Sequence, residues 1–315
     1  MGKIYSFLLI VAIIFWVPAY SAAQDTSSQD SSGQEAQVAE ATNTPGPTAF
    51  AQAVGKYSNL GGVYNAGIGV GYNITEHIGG DIGVSLYTIQ SPFSVVNNKS
   101  WTWTTLAGDP FVDLRYTTKW HGVDAISVLT GTIPLSSPDR VFTTGRFGVD
   151  WYNHFSKSFA GFRPFVNFGG ANETMDRYII PRPYNIARPY QIFGANANGE
   201  AGASFTVLKH YSVGASAYGI VPFGRQKVFS RLVTPNSSIS GDADHYRYWN
   251  NAFETIGDSE LGRDNGYSGW VDVSRIKNLT VQAGYTYSVH YRWGSAYLML
   301  RFDGTSLIRF LTATD

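Results

Sequence analysis

The chain has 315 residues, of which 43% are hydrophobic, 15% charged and 15% aromatic, and its 23 basic side chains balance 23 acidic ones. The balanced charge argues against a nucleic-acid partner, because polyanion binders carry a basic excess. The absence of cysteine excludes a disulfide scaffold, cysteine-ligated metal sites and cysteine nucleophiles. We therefore expect no nucleic-acid partner, and we predict no cofactor. In the predicted loop 224–265, Asp242 and Asp244 are spaced like calcium ligands, but a calcium site needs more ordered oxygen ligands than this loop shows, so no metal site is predicted.

The first residues have the three parts of a secretory signal peptide. Lys3 supplies the positive charge, residues 4–17 form an apolar run, and Ala23 ends a small-residue cleavage motif. The apolar run is shorter than the roughly 20 residues of a spanning helix, which favours a cleaved signal over the alternative of an uncleaved anchor. We predict a cleaved signal peptide at residues 1–23, and hence export.

Residues 24–48 are mostly Gln, Ser, Thr and Ala with a few acidic residues, and they end in a Pro-Gly-Pro step. Without apolar periodicity, such a segment cannot offset the entropy that ordering costs. We interpret residues 24–48 as a disordered periplasmic linker and residues 49–315 as one folded domain.

Apolar and polar residues alternate with period two from residue 63 onward, which is typical of half-buried strands. In the clearest run, 279–293, Leu279, Val281 and Tyr285 share one face. The best runs have about 11 to 15 residues, whereas globular strands average about 5 to 6 and tilted membrane-spanning strands need about 9 to 11. The predicted strands are 49–57, 64–74, 78–90, 109–118, 124–134, 141–154, 159–170, 193–207, 211–223, 266–275, 279–293 and 296–303.

The connections between these runs are short on one side and mostly long on the other, near 91–108, 171–192 and 224–265. That asymmetry, together with aromatic residues at strand ends, is typical of outer-membrane barrels. The predicted fold class is all-β: a transmembrane antiparallel up-and-down β-barrel of about 12 strands (10 to 14), with short periplasmic turns and long extracellular loops. A secreted sandwich or a lipocalin-like barrel is the alternative.

Charged residues recur on the polar face of the predicted strands. In a membrane they must face a wet lumen, because an arginine facing lipid at the midplane costs about 2 to 4 kcal/mol. They are candidates for solute selection, although a self-neutralising network that fills a narrow barrel is the alternative. The lumen candidates are Asp113, Arg115, Arg146, Asp150, Arg163, Glu200, Asp272, His290 and Arg292.

The predicted loop 171–192 combines arginine, tyrosine and proline, and proline stiffens the chain. Arg177, Arg182 and Arg188 are candidates for constricting the pore or for binding an external ligand, and a rigid exposed cap is the alternative.

Some outer-membrane barrels are enzymes, and one pair of residues in this chain could form a catalytic dyad. Ser288 and His290 share one face of a predicted strand, and a serine–histidine dyad would support lipid or ester hydrolysis. This spacing is common on polar faces, so no catalytic residue is assigned and the chain is not predicted to be an enzyme.

A sequence resemblance covers about residues 105–170. Ala107-Gly108-Asp109-Pro110 precedes one predicted strand, and the segment 129–135 (LTGTIPL) is followed by Thr144-Gly145. These motifs resemble those of the outer-membrane barrel family linked to phenol meta-pathway operons, although the Thr-Gly step after Pro134 is absent. The resemblance implies a transporter for aromatic or other apolar compounds.

The leading hypothesis is a passive channel or transporter for small solutes in a Gram-negative-type outer membrane. A structural or surface-interaction protein with a filled lumen is the alternative, and a barrel hydrolase is a third. The last predicted strand has the glycine, alternation and terminal aromatic residue of a barrel-assembly signal. The expected partners are outer-membrane lipid, the barrel-assembly machinery and a small-molecule solute.

Overall fold

Fifteen β-strands form within the described part of the chain. The computed structural model describes residues 44–58, 61–90, 103–134, 145–180, 186–230, 253–257, 263–276, 278–290 and 292–305. The first eight strands are β1 (Gly46–Ser58), β2 (Gly61–Asn73), β3 (Ile78–Gln90), β4 (Trp103–Ala107), β5 (Phe111–Trp120), β6 (Val123–Thr132), β7 (Gly148–Lys157) and β8 (Phe162–Ile180). The remaining strands are β9 (Ile186–Leu208), β10 (Tyr211–Pro222), β11 (Gln226–Ser230), β12 (Phe253–Gly257), β13 (Asp264–Ile276), β14 (Leu279–Ser288) and β15 (Trp293–Asp303).

Twelve of the described strands close into an antiparallel barrel. The ring runs β1-β2-β3-β5-β6-β7-β8-β9-β10-β13-β14-β15 and returns to β1, with Phe50 opposite Asp303 at the closing seam. Strand β4 pairs outside the ring with β3, and the β11–β12 hairpin pairs with the upper part of β9. The prediction of about twelve barrel strands is confirmed. In the described ranges, no helix is long and apolar enough to cross a membrane.

One end of the barrel carries short turns, which we call the short-turn end. It comprises the connections 74–77, 121–122, 158–161, 209–210 and 277–278, together with the start of β1 and the end of β15. His121 and Gly122 have φ of 48° and 77°, which suits a two-residue hairpin turn whose twist matches the strands. Connections at the other end, the loop end, are longer on average, although 59–60 and 289–292 are short.

The folded domain begins earlier than predicted. The linker assignment of residues 24–48 is wrong at its end, because β1 starts at Gly46 and Thr48 already donates a hydrogen bond of 2.8 Å to Asp81. Pro47 is compatible with this position, since proline is tolerated near the start of a strand. Residues 1–43, which include the predicted signal peptide, lie outside the described residues.

The predicted strand 279–293 is in fact a strand, a turn and the start of another strand. Strand β14 ends at Ser288, which pairs with Trp293 at the beginning of β15. Arg292 has φ of 56°, a left-handed conformation that reverses the chain. The alternation of side chains continues through this turn, so period two alone gave no sign of the reversal.

The predicted loop 171–192 is largely β-structure. Strands β8 and β9, with 19 and 23 residues, continue as a paired hairpin beyond the level of the ring. The pairing shifts register three times along this extension, at Ala171/Glu173, Thr174/Arg177 and Arg177/Ile179. Such irregularities bend and twist a ribbon locally. The predicted connections 91–108 and 224–265 likewise contain β4 and the β11–β12 hairpin.

The outer face of the barrel is apolar. Along β2, Ile68, Val70 and Tyr72 are more than half exposed, while the glycines between them face inward. On β14, Tyr285 is exposed, whereas Gln282 and Thr286 are almost completely buried. The apolar stripe of β14 therefore faces outward, as predicted, and polar side chains face the lumen.

Exposed aromatic side chains lie near both ends of the outer face. Near the short turns these are Tyr72, Tyr116, Trp120, Phe162, Phe205 and Tyr211. Toward the loop end they are Phe147, Phe223, Tyr267 and Tyr285.

Large aromatic side chains inside the barrel lie flat against glycines of neighbouring strands. A Cβ atom at Gly214 would come within 2.3 Å of the Trp270 ring, and one at Gly284 within 2.5 Å of the Tyr297 ring. These glycines leave room for rings that a side chain would push toward the barrel axis.

Candidate solute pathway

The inner face brings together six of the predicted lumen residues on strands of the ring. Asp113 and Arg115 alternate with outward Val112 and Leu114 on β5, so both face the lumen. The same alternation along their strands directs four other predicted residues toward the lumen. These are Arg163 on β8, Glu200 on β9, Asp272 on β13 and, on β7, Asp150.

An ion pair in the described lumen joins Arg115 to Asp81. The two side chains approach to 2.8 Å, and the Asp81 side chain is only 4% exposed. Arg115 also donates to Asn73 at 2.9 Å, while Thr48 donates to Asp81 at 2.8 Å. This network links β1, β2, β3 and β5 and fixes the Asp81 carboxylate in place.

A second network lies closer to the short turns. Asp124 accepts from Arg163 at 3.2 Å and pairs with Lys119 at 3.2 Å. Arg163 donates through Nε to Ser156 at 3.1 Å, which holds the guanidinium against the wall.

Glu200 is held by neutral donors. Asn167 donates to it at 3.1 Å, and Ser216 donates a short hydrogen bond. Nδ1 of His154 lies 2.7 Å from Oδ1 of the same Asn167, so β7 to β10 are joined through one polar chain.

Two aspartates on β13 are each bonded to several donors. Asp272 accepts from Ser212 at 3.3 Å, Trp270 at 3.1 Å and Gln282 at 2.8 Å. Asp264 accepts from Tyr218 at 3.3 Å and from Ser288 at 2.5 Å.

Acidic groups outnumber basic groups among the described inward positions of the ring. The acids are Asp81, Asp113, Asp124, Asp150, Glu200, Asp264, Asp272 and Asp303. The bases are Lys56, Arg115, Lys119, Arg163 and Arg301. The lumen therefore carries a net negative potential, which raises the local concentration of cations.

An aromatic cluster narrows the lumen. Phe165 on β8, Trp270 on β13 and Tyr297 on β15 are buried together, and the ring centroids of Phe165 and Trp270 lie 6.1 Å apart. Strands β8 and β15 stand on nearly opposite sides of the ring. We call this cluster the aromatic barrier.

A cavity of about 380 Å³ lies between the aromatic barrier and the short turns. Its wall comes from β7, β8, β9, β10, β13 and β14, and Ser158 and Gly161 of the β7–β8 turn stand at its mouth. Seven of its fifteen lining residues bear a hydroxyl group, and the others include His154, Arg163, Asp272, Gln282 and the aromatic Phe162, Phe165 and Trp270.

Three lumen candidates were wrongly placed on strands. Arg146 precedes β7, which begins only at Gly148, and its guanidinium lies 5.5 Å from the centre of the Phe193 ring. His290 and Arg292 lie in the exposed β14–β15 turn rather than on an inner face.

The arginines of segment 171–192 are only partly described. Arg177 pairs with Tyr190 in the β8–β9 extension, and Arg188 belongs to β9. Arg182 lies outside the described residues. The backbone places Arg177 and Arg188 beyond the ring at the loop end.

Ser288, a member of the hypothesised hydrolase dyad, has a different hydrogen bond. Its hydroxyl donates to Asp264 and is completely buried, whereas His290 lies in the exposed turn. The Ser288 proton is therefore directed to a carboxylate, and the pair does not have the geometry of a nucleophile and its base.

Sequence analysis missed several lumen charges. Asp81 alternates with the apolar Ile82 and Val84 in the predicted strand 78–90, which places it on the polar face. Arg301 lies beside Leu300 in the same way, and Asp264 fell inside the predicted loop 224–265. Side-chain alternation, once the strand limits are known, identifies all three.

No family model matches the sequence, and no curated protein matches it. The chain is similar in shape to an outer membrane channel from Pseudomonas putida F1, with a TM-score of 0.47 and 11% identity over 84% of this chain and 97% of that chain. It is also similar to the NanC porin, with a TM-score of 0.41 and 6% identity over 80% of this chain and 97% of that one. The β domain of the Bordetella autotransporter BrkA is similar with a TM-score of 0.35 and 13% identity, over 82% of this chain and 99% of that one. Similarities of this size carry no argument about function, which has to be argued from the geometry.

Proposed function

We propose that the chain is a passive channel for small solutes in the outer membrane of a Gram-negative-type bacterium. The observation that carries this proposal is a closed barrel with an apolar outer face and an acid-rich inner face. The proposal includes export through a signal peptide at residues 1–23 and insertion by the barrel-assembly machinery.

The outer face supports a lipid environment. A closed ring satisfies every backbone group that would otherwise be unpaired in hydrocarbon, and aromatic residues near both ends match the membrane interfaces. A water-soluble barrel would place its apolar face inward, and this chain places Asp81, Glu200 and Gln282 there instead.

The membrane proposal predicts a depth-dependent cost of charge. Ile68 lies midway along β2 and is 62% exposed on the outer face. Ile68→Arg should lower the free energy of unfolding in lipid vesicles by about 2 to 4 kcal/mol, because a guanidinium would enter the middle of the hydrocarbon. Urea titration of the reconstituted protein, followed by tryptophan fluorescence, measures this change.

Ile74→Arg is the matched control. Ile74 is equally exposed, at 65%, but it follows β2 in a short turn. The same substitution there should cost only about 0 to 1 kcal/mol, since the guanidinium reaches the interface. Equal costs at both positions would contradict the proposed membrane-spanning band.

The inner face supports passage of solutes. A ring of twelve strands is intermediate between eight-stranded barrels, which side chains fill, and the open porins. Ion pairs and hydrogen bonds hold the lumen charges against the wall, as Arg163 is held by Asp124 and Ser156. The resulting pathway is narrow and polar.

A net acidic lumen should favour cations. In a planar bilayer with a KCl gradient, we expect a reversal potential on the cation side, with a potassium-to-chloride permeability ratio above about 2. Anion preference would contradict the assignment of inward charges, and absence of any conductance would contradict the channel itself. Swelling of proteoliposomes in small neutral solutes provides an independent readout of permeability.

A structural or surface-interaction protein with a filled lumen is the second candidate. The aromatic barrier favours it, as do the β8–β9 extension and the β11–β12 hairpin, which stand beyond the ring. On this alternative Arg177 and Arg188 would contribute to an external binding surface. The aromatic or apolar solute that the sequence resemblance implies is likewise a proposal about the channel.

A further inference from the structure

We infer that the cavity at the short-turn end of the lumen binds an uncharged, polyhydroxylated ring of mono- or disaccharide size. This inference rests on the proposed channel, because the cavity is part of its lumen and opens at the short turns beside Ser158 and Gly161. The cavity measures about 380 Å³, within the range of ligand pockets.

The lining of the cavity suits a ligand with many hydroxyl groups. Small alcohols surround it, and a hydroxyl group can both donate and accept a hydrogen bond. Ser212 already donates to Asp272 and can still accept, while Ser156 accepts from Arg163 and can still donate. A ligand with one polar group would leave most of them to water. The alcohols used in this argument are Ser156, Ser204, Thr206, Ser212, Ser274 and Thr280.

Two buried polar atoms in the wall have no hydrogen-bond partner among the described residues. Nε2 of His154 and Oε1 of Gln282 are both unpartnered, although the residues are only 3% and 1% exposed. An unmatched buried polar atom is costly, so each calls for a partner from outside the wall. A hydroxyl group can serve both, since it donates to the amide oxygen and suits either tautomer of the imidazole.

The inner end of the cavity is aromatic. The Phe165 ring stacks on the His154 ring with centroids 5.9 Å apart and an interplanar angle of 21°, and Trp270 adjoins Phe165. Aromatic faces provide apolar contact for the C–H face of a saccharide ring, while the hydroxyls at its rim reach the polar wall.

The charged groups at the cavity already have partners in the wall. Arg163 pairs with Asp124 at 3.2 Å, and Asp272 accepts three hydrogen bonds. An anionic ligand would add like charge beside Asp272, whose three donors are all neutral, and would find Arg163 already paired, which is unfavourable. An uncharged ligand avoids that cost.

Binding is tested with glucose, maltose and phenol as probes. The refolded protein is kept in lauryldimethylamine oxide, because a detergent with a sugar head group would compete. We expect maltose to change the tryptophan fluorescence saturably through Trp270. His154→Phe and Gln282→Met should each weaken binding about tenfold, since each removes one of the two unpartnered atoms. His77→Phe, at an exposed turn away from the cavity, is the matched control and should bind as the parent does.

Failure of maltose to bind overturns the inference. No saturable change with any probe means that the cavity holds water only, and saturation by phenol alone means an aromatic ligand. If the two buried variants fail to fold, Ser274→Phe at the exposed rim should still abolish maltose binding by filling the mouth. Conductance without saccharide binding would contradict the saccharide site but not the proposed channel. Saccharide binding without conductance would contradict the proposed channel.

Discussion

Replacing Trp270 by alanine should raise the single-channel conductance at least about twofold, since pore diameter limits passage through a narrow lumen. The Trp270 ring contacts the Phe165 ring, and this contact narrows the pathway. The indole lies over Gly214 on the wall of the barrel. Removal of the indole opens the space over Gly214, which has no side chain of its own to fill it. Planar-bilayer recording of the refolded variant measures the change.

Trp120→Ala is the control for this experiment. Trp120 is 71% exposed on the outer face at the end of β5, so its loss should leave the conductance unchanged. Phe165→Ala should reproduce the effect of Trp270→Ala from the opposite side of the contact. If both barrier variants fold and conduct as the parent does, the aromatic barrier is not the narrowest part of the pathway.

Arg115→Ala should lower the free energy of unfolding by about 3 to 5 kcal/mol, because it leaves the Asp81 carboxylate buried without its counter-ion. The two side chains are 2.8 Å apart and are 20% and 4% exposed, so solvent screens the pair little. The Asn73 amide oxygen also loses a donor at 2.9 Å. Urea titration in vesicles measures the loss.

The Asp81 explanation is tested by a second substitution. Adding Asp81→Asn to Arg115→Ala should recover most of the lost stability, since it removes the uncompensated charge. Lys119→Ala, at an ion pair whose lysine is 59% exposed, should cost only about 0 to 1 kcal/mol. A double variant as unstable as Arg115→Ala alone would show that packing, not charge, accounts for the loss.

Side-chain alternation predicted the ring well because each barrel strand separates an apolar outer face from a polar inner one. The stripe containing Tyr285 and the inward positions of Arg115 and Glu200 follow directly from it. Alternation is a local signal, however, and it continues unchanged through a tight turn. For this reason His290 and Arg292 were assigned to a strand although they form the β14–β15 connection.

The contacts of the candidate site depend on pairing between strands that are distant in sequence. Asp81 meets Arg115 because β3 pairs with β5, and Phe165 meets Trp270 across two intervening strands. No local pattern specifies such registers. The same limit applies to the β8–β9 extension. Its proline-containing sequence predicted a loop, and only the pairing of β8 with β9 makes it β-structure.

The seam between β1 and β15 joins the first and last described strands, with Phe50 opposite Asp303 and Tyr57 opposite Ala296. Bringing such distant segments together costs loop-closure entropy, and topologies dominated by distant pairing form slowly. During biogenesis the edge of β1 that pairs with β15 therefore stays unpaired until nearly all of the polypeptide has been synthesised and exported. Chaperoning of that edge, rather than the intrinsic stability of the finished cylinder, is expected to determine how much of the newly made protein matures instead of aggregating.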